Sequence, residues 1–302
     1  MTKKTYILTE NELAFFLGLT DMQPNGFSPE IFAQIRLDSG DFPGSLVAKG
    51  LIVPEGEGFS YTGDGKILVN ALLRPKSAAE IEKRSEKACF YLFTSGGAYV
   101  LFNVITDGRC MAVIFPDAEQ MEQLLDKCFL DKELKYESFS VQLGYDEWFM
   151  FLLTQFFFMQ RQAALKRPLS DSEMWADVAQ LDMPKVRQAL KASVPEGGIG
   201  AAVTDRLEQE NVRRDVCRRL EDLGLLITEE SDGTMAVKYT ENAVKWLDND
   251  RSAELITVTS LRTVGSRRIM YTVRENGLVS LEQTASGVKI ATCEGIKWRE
   301  FL

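Results

Sequence analysis

Apolar positions along this chain switch repeatedly between a period of three to four and a period of two, and the switches predict short helices alternating with hairpins. Thr9 and Glu12 are spaced as a capping box ahead of the apolar run Leu13 to Leu17, so a helix starts at Thr9 and closes at Gly18. Ser28-Pro29-Glu30 opens a second helix carrying Ile31, Phe32 and Ile35, and a third runs from Gly44 to Lys49 and stops at Gly50. Leu51 to Val53 is extended, Pro54 to Phe59 is a polar, glycine-rich tip, and Ile67 to Leu73 is helical until Arg74-Pro75. Strands follow at Ala88 to Thr94, Ala98 to Ile105 and Cys110 to Phe115, separated by turn-forming residues. A helix over Ala118 to Leu130 and a strand over Lys135 to Leu143 complete the first half.

The second half opens with the longest helical stretch, Asp146 to Lys166, whose Trp148, Phe149, Phe151, Phe156, Phe157 and Phe158 make it apolar on nearly all sides. Such a segment serves as a central core helix, as a partner or dimer surface, or partly as both. Met174 to Leu181 and Lys185 to Ser193 read as helices, and 194–202 as a glycine-rich connection. Gly197-Gly198-Ile199-Gly200 lacks the Gly-Lys-Ser/Thr ending of a phosphate-binding loop. A helix from Val203 to Leu223 ends at Gly224, a hairpin turns at Ser231-Asp232-Gly233, and strands follow over Leu255 to Ser260, Arg268 to Val273, Leu278 to Gln283 and Val288 to Cys293.

One order of elements is thus written twice. Leu46 to Ile52 with Tyr61-Thr62 and a run to Leu72 corresponds to Leu220 to Leu226 with Tyr239-Thr240 and a run to Leu247. The predicted fold class is α+β: two pseudo-symmetric repeats over residues 1–144 and 145–302, each with winged-helix-like helices followed by an antiparallel β-meander, forming a shared central sheet.

Composition narrows what such a fold does. The 302 residues hold enough apolar content to bury a core without metal or disulfide staples. Histidine is absent, which removes the commonest general base and the commonest transition-metal ligand. The five cysteines, Cys89, Cys110, Cys128, Cys217 and Cys293, have no close pairing, so neither zinc nor a disulfide framework is expected. A non-enzymatic, cofactor-free and metal-free protein is the expectation. The first residues lack the apolar core of a signal peptide, and Trp148 to Met159 is too short to span a bilayer, so a cytoplasmic protein without membrane insertion is expected.

Charge divides the halves. The net charge is −9, with 14 basic against 22 acidic residues in 1–150 and 21 against 22 in 151–302. An acidic first half repels polyphosphate, so only the second half is a candidate for nucleic acid. There Arg213, Arg214, Arg218 and Arg219 cluster on the helix before the second hairpin, leaving Val212, Val216 and Leu220 for the core. In a winged helix that element lies in the major groove, although Asp205, Glu208, Glu210, Asp215, Glu221 and Asp222 accompany it and suit a solvated face of ion pairs. Arg262, Arg267, Arg268 and Arg274 form a second cluster, suited either to an acidic partner or to the outward face of a hairpin.

Leu8-Thr9-Glu10-Asn11-Glu12-Leu13, the helix ending Leu46-Val47-Ala48-Lys49-Gly50-Leu51-Ile52, and Leu68 to Pro75 ahead of the strands resemble the EspG family of type VII (ESX) secretion-associated proteins. The resemblance spans about residues 8 to 115 together with the repeat. It implies two quasi-symmetric α+β halves around an antiparallel sheet, and a cytosolic, non-catalytic chaperone that binds a helical secreted protein, shields its hydrophobic tip and delivers it. It transfers no individual functional residue. Two readings therefore stand: a chaperone or adaptor with a helical secreted protein or another protein as partner, and a winged-helix transcriptional regulator using the four arginines.

Overall fold

The computed structural model describes residues 3–27, 42–105, 108–130, 134, 136–152, 169–170, 206–207, 209–231, 234–247, 254–261, 266–274 and 277–302. In chain order the elements are β1 (Lys4–Thr9), α1 (Glu10–Gly18), α2 (Phe42–Ala48), β2 (Ile52–Glu55), β3 (Gly58–Tyr61), α3 (Gly63–Leu73), β4 (Ser77–Lys83), β5 (Ala88–Ser95), β6 (Ala98–Ile105), β7 (Arg109–Phe115), α4 (Ala118–Phe129) and β8 (Ser140–Gly144). They continue with helical residues 145–152, β9 (Leu169–Ser170), α5 (Glu210–Asp222), β10 (Leu226–Ser231), β11 (Thr234–Tyr239), α6 (Glu241–Leu247), β12 (Glu254–Leu261), β13 (Arg267–Arg274), β14 (Gly277–Thr284), β15 (Gly287–Cys293) and a closing 3-10 turn, Trp298–Phe301. The architecture is α+β with a large antiparallel sheet.

Two compact units divide the chain. The first holds Met1–Leu134, Glu254–Val273 and Glu294–Leu302; the second holds Lys135–Ala253 and Arg274–Cys293. These units do not coincide with a cut between residues 144 and 145. β8 belongs to the second, while β12 and most of β13 belong to the first.

The first unit is built on antiparallel strands in the order β1-β7-β6-β5-β4-β12-β13. Strand β5 shows how its two faces differ. Phe93 joins a core of Leu8, Leu13, Phe16, Leu46, Leu68, Leu72 and Phe102 beneath α1, α2 and α3, whereas Phe90 meets Phe129 of α4 edge-on at 5.1 Å. Phe129 also contacts Trp298, and the Trp298 indole N–H donates to Asp126 at 2.8 Å, tying the chain's end to α4. The capping box predicted at Thr9 is present: Glu12 N–H donates to Thr9 Oγ1 at 3.1 Å, and Thr9 N–H to Glu12 Oε2 at 2.7 Å.

In the second unit β14, β15 and β8 pair antiparallel, and a separate sheet runs β10-β11-β9. Its core gathers Trp148, Phe149, Phe151, Val216, Leu220, Leu225, Trp246, Val288 and Ile290. The described start of the aromatic helix is therefore core; Phe156, Phe157 and Phe158 lie outside the described residues, as do the helices expected from Ser28, Met174 and Lys185 and the glycine-rich connection. Of the helix expected over Val203 to Leu223, residues 206–207 and 210–222 are helical, with an extended Gln209 (φ −81°, ψ 122°) ahead of Glu210; 203–205 and 208 lie outside the described residues. The strand expected from Lys135 is limited to β8.

The two helix–hairpin–helix segments repeat one geometry bond by bond. Lys49, Gly50 and Leu51 donate backbone N–H groups to the carbonyls of Ser45, Val47 and Leu46; Leu223, Gly224 and Leu225 donate to Arg219, Glu221 and Leu220. Gly50 and Gly224 both have φ +70°, a left-handed turn in which a Cβ is strained, which is why each helix stops there. Beyond each hairpin, Thr62 and Thr240 donate from the backbone to Leu51 and Leu225 and from the hydroxyl to Gly50 and Gly224. Each threonine oxygen then accepts the N–H three residues on, from Gly65 or Ala243, and so caps α3 or α6. Tyr61 packs edge-on against Phe16 and donates to its carbonyl; Tyr239 does the same with Phe151.

Candidate functional site

The arginines of α5 come first, as the residues the sequence offers to nucleic acid. Arg213 turns inward: it is 6% exposed, and its guanidinium donates to the Leu207 carbonyl at 3.0 Å. Arg214 pairs with Glu210 one turn earlier at 2.9 Å, and Arg218 faces Asp215 at 3.8 Å. Arg219 reaches across to Glu147. The helix presents Val216, Cys217, Leu220 and Arg213 to the core, with Val212 only partly buried. Three of the four arginines thus sit in ion pairs and the fourth is interior. In the other basic cluster, Arg267 pairs with Glu300 at 3.1 Å and stacks over Phe301, Arg268 lies 3.8 Å from Glu82, and Arg262 is outside the described residues.

A sharper feature emerges when the two repeated segments are laid side by side. In the first, Glu12 is nearly buried (5% exposed) and collects the Thr9 N–H, the Ser45 hydroxyl and the Lys49 ammonium, the last at 2.5 Å. Burial raises its pKa, but the bonds from Lys49, Ser45 and Thr9 together with the lysine charge outweigh burial and hold the carboxyl below its ordinary value. The network fastens α1 to α2.

In the second, Glu147 stands two positions from the start of helical residues 145–152, four before Phe151, just as Glu12 stands four before Phe16. Arg219 occupies the position of Ser45 and bonds Glu147, whose side chain is 12% exposed. The position of Lys49 is taken by Leu223, which cannot bond a carboxylate and is 41% exposed. Glu147 folds back over Gly144, so closely that a Cβ on Gly144 would run into Glu147 Oε2.

The second segment carries a shallow cleft of ≈ 480 Å³ lined by Gln142, Gly144, Glu147, Arg219, Asp222 and Leu223, with Ser286 at the β14–β15 turn. The Asp222 side chain is exposed and takes part in no ion pair or hydrogen bond among the described residues. Ile227 on β10 is 43% exposed, and Val53 at the matching position of β2 is 44% exposed. The side-by-side comparison is readable in the sequence, which sets Glu12 against Glu147 and Lys49 against Leu223.

Among the described residues no group of three or more Cys, Asp or Glu is placed to hold a metal ion, and no helix is long and apolar enough to cross a membrane. Burial pushes thiols up: the buried Cys110 to about 11, helped by the nearby Glu10 charge, and the half-buried Cys89 to about 12, helped by its bond to Glu80. Neither is a thiolate nucleophile at neutral pH.

No protein family and no curated protein matches the chain in sequence. Among solved structures, one similar chain is in the structure of the Mycobacterium tuberculosis type VII secretion system chaperone EspG5 in complex with the PE25–PPE41 dimer. The identity is 8%, the match covers 99% of this chain and 93% of that one, and the TM-score is 0.44.

Proposed function

We propose that this chain is a non-catalytic, cytoplasmic partner-binding protein, a chaperone or adaptor for a helical secreted protein of the type VII kind, built from two pseudo-symmetric winged-helix-like repeats. The observation that carries the proposal is the divergence of surface chemistry on one repeated geometry. In the first segment Ser45 and Lys49 bond Glu12 within the chain, while the second leaves Leu223 exposed at the rim of a cleft. A duplicated scaffold that keeps its backbone bonds and changes only what it shows to solvent has the form expected of a protein that binds on one side. The pattern at Leu8 to Leu13, Leu46 to Ile52 and Leu68 to Pro75 supports the same reading through its resemblance to the EspG family. The paired and inward arginines of α5 leave little unneutralised charge for a phosphate backbone, which weighs against the regulator.

The test is affinity capture of the tagged protein from its own host after nuclease treatment and a salt wash, with mass spectrometry of what remains bound. A stoichiometric helical-hairpin protein, reproduced with the two purified components, is the expected result. Recovery of nucleic acid alone, lost with nuclease or salt, overturns the proposal in favour of DNA binding.

A further inference from the structure

The first segment shows what the second lacks. Lys49 and Leu223 hold the same place relative to the terminating glycine, donating backbone N–H groups to the equivalent carbonyls of Ser45 and Arg219. In the first, the Lys49 stem leaves this place and its ammonium ends on the buried Glu12. In the second, the carboxylate is kept as Glu147, a second carboxylate is added at Asp222, and the lysine is gone; what remains in front of Glu147 is the cleft. Arg219 already bonds Glu147, so the lining carries two carboxylates against one guanidinium and is anionic by one charge.

We propose that this cleft takes a lysine or arginine side chain of a protein partner, with its methylene stem laid on Leu223 and its charged head set between Asp222 and Glu147. The partner supplies from outside the cation that Lys49 supplies from within. Three features of the cleft select this occupant. An anionic lining favours a cation over a neutral or acidic group. The exposed Leu223 surface at the rim matches the apolar stem of a long basic side chain, which buries its methylenes while its head stays in a polar setting. The volume of ≈ 480 Å³ holds a side chain with its flanking backbone, and Gln142 and Ser286 offer hydrogen bonds to that backbone. The inference deepens the partner-binding reading and rests on it for the identity of the partner as a protein.

The experiment uses the full chain and two acetylated, amidated pentapeptides, Gly-Leu-Lys-Leu-Gly and its counterpart with norleucine, which keeps the stem and removes the ammonium. Titrations are followed by 1H–15N chemical shifts at low salt. The lysine peptide is expected to bind at least about tenfold more tightly than the norleucine peptide, the equivalent of ~1.4 kcal/mol. Shifts should fall on residues 142–147, 219–223 and 286, and Leu223→Lys and Asp222→Asn should each weaken the lysine peptide about tenfold. Val53→Ser, on the first hairpin, should leave it unchanged. Leu223→Lys also serves without any ligand: by restoring the internal lysine it should raise the melting temperature above that of Leu223→Gln. Equal binding of the two peptides, no saturable binding, shifts elsewhere, or a Leu223→Lys protein no more stable than Leu223→Gln overturns the proposal. If capture yields a protein partner that binds Leu223→Lys as tightly as wild type, the cleft assignment falls and the partner-binding reading stands. Selective lysine-peptide binding with no captured protein does the opposite: the cleft's preference for a basic side chain stands and the partner-binding reading falls.

Discussion

Replacing Glu12 tests whether its network is the clamp described above. Glu12→Ala removes the acceptor for three donors: the Thr9 N–H, the Ser45 hydroxyl and the Lys49 ammonium. A hydrogen bond to a charged group contributes about 1.5–3 kcal/mol in mutational series, and removing one member of a buried pair also strands its partner. The sum of three would exceed the true cost, because the Lys49 side chain is 30% exposed and its ammonium rehydrates once released. The Thr9 N–H and Ser45 hydroxyl bonds are part-buried, and losing both at the lower end of that range sets the cost at about 3 kcal/mol. Glu12→Gln keeps an acceptor for Thr9 N–H and loses the ion pair, for about 1–2 kcal/mol. At the ~2–4 °C per kcal/mol typical of domains of 150–250 residues, Glu12→Ala lowers the melting temperature of the transition that includes the first unit by roughly 6–12 °C.

The pH dependence gives a second, independent handle. The folded carboxyl of Glu12 lies below its ordinary value, so its contribution is fully present above the unfolded-state pKa of ~4.3 and is lost as pH falls through the lower folded value. The stability gap between wild type and Glu12→Gln, followed by urea denaturation, should therefore be constant from pH 7 down to about pH 5 and should close below about pH 4. A gap that persists unchanged to pH 3, or a Glu12→Ala protein within ~0.5 kcal/mol of wild type, would refute the clamp.

The second segment should respond less. Glu147→Gln removes one pair with the half-exposed Arg219, and a loss of about 1 kcal/mol or less in the same denaturation assay is expected. Tyr61→Phe deletes a donor that reaches the Phe16 carbonyl at 2.6 Å, for about 1 kcal/mol. Burial pushes the Tyr61 hydroxyl up to about 12, so its share of stability is present below its unfolded-state value of ~10 and lost as pH rises toward 12; alkaline melts should show a smaller loss in Tyr61→Phe. Arg213→Met replaces an interior guanidinium whose Nη1 bonds the Leu207 carbonyl; loss of helical signal around α5 on heating is the readout, with destabilisation of about 1–3 kcal/mol. Cys128 is exposed whereas Cys110 and Cys217 are buried, so a thiol reagent at pH 8 should label Cys128 first, and Cys128→Ser should remove the fast phase.

What was legible in the sequence follows from which forces are local. The Thr9–Glu12 box and the glycine stops at Gly50 and Gly224 are set by neighbours a few residues apart, and the four C-terminal strands by alternating apolar runs between turn residues, so all were readable. Strand β4 was not: Ser77-Ala78-Ala79-Glu80-Ile81-Glu82-Lys83 carries alanine and glutamate, residues poor in strand preference, and is extended because β5 and β12 flank it on both sides. Strand β1 was missed for a related reason. Only Tyr6 and Leu8 of its six residues face inward, and its pairing with β7 joins positions about a hundred residues apart, beyond the reach of any local pattern.

The arginine cluster shows the converse error, a local pattern whose meaning is set from afar. Spacing alone puts Arg213 on the solvent side of a helix whose apolar stripe is Val212, Val216 and Leu220. The stripe is rotated instead, with Cys217 buried and Val212 half-buried, so Arg213 enters the core where the Leu207 carbonyl receives it. Arg219 gains its meaning from a residue on another element, Glu147, and Glu147 from its counterpart Glu12. Charge counts along a helix could not separate a nucleic-acid face from a set of ion pairs, because the deciding carboxylates include one seventy-two positions away. The comparison that does separate them is internal. Two segments with the same backbone bonds share selection on packing, so a position where one keeps lysine on a buried carboxylate and the other exposes leucine marks a difference that packing does not explain. Such a difference is where a partner-binding surface on a duplicated fold is to be tested first, by the Leu223 variants described above.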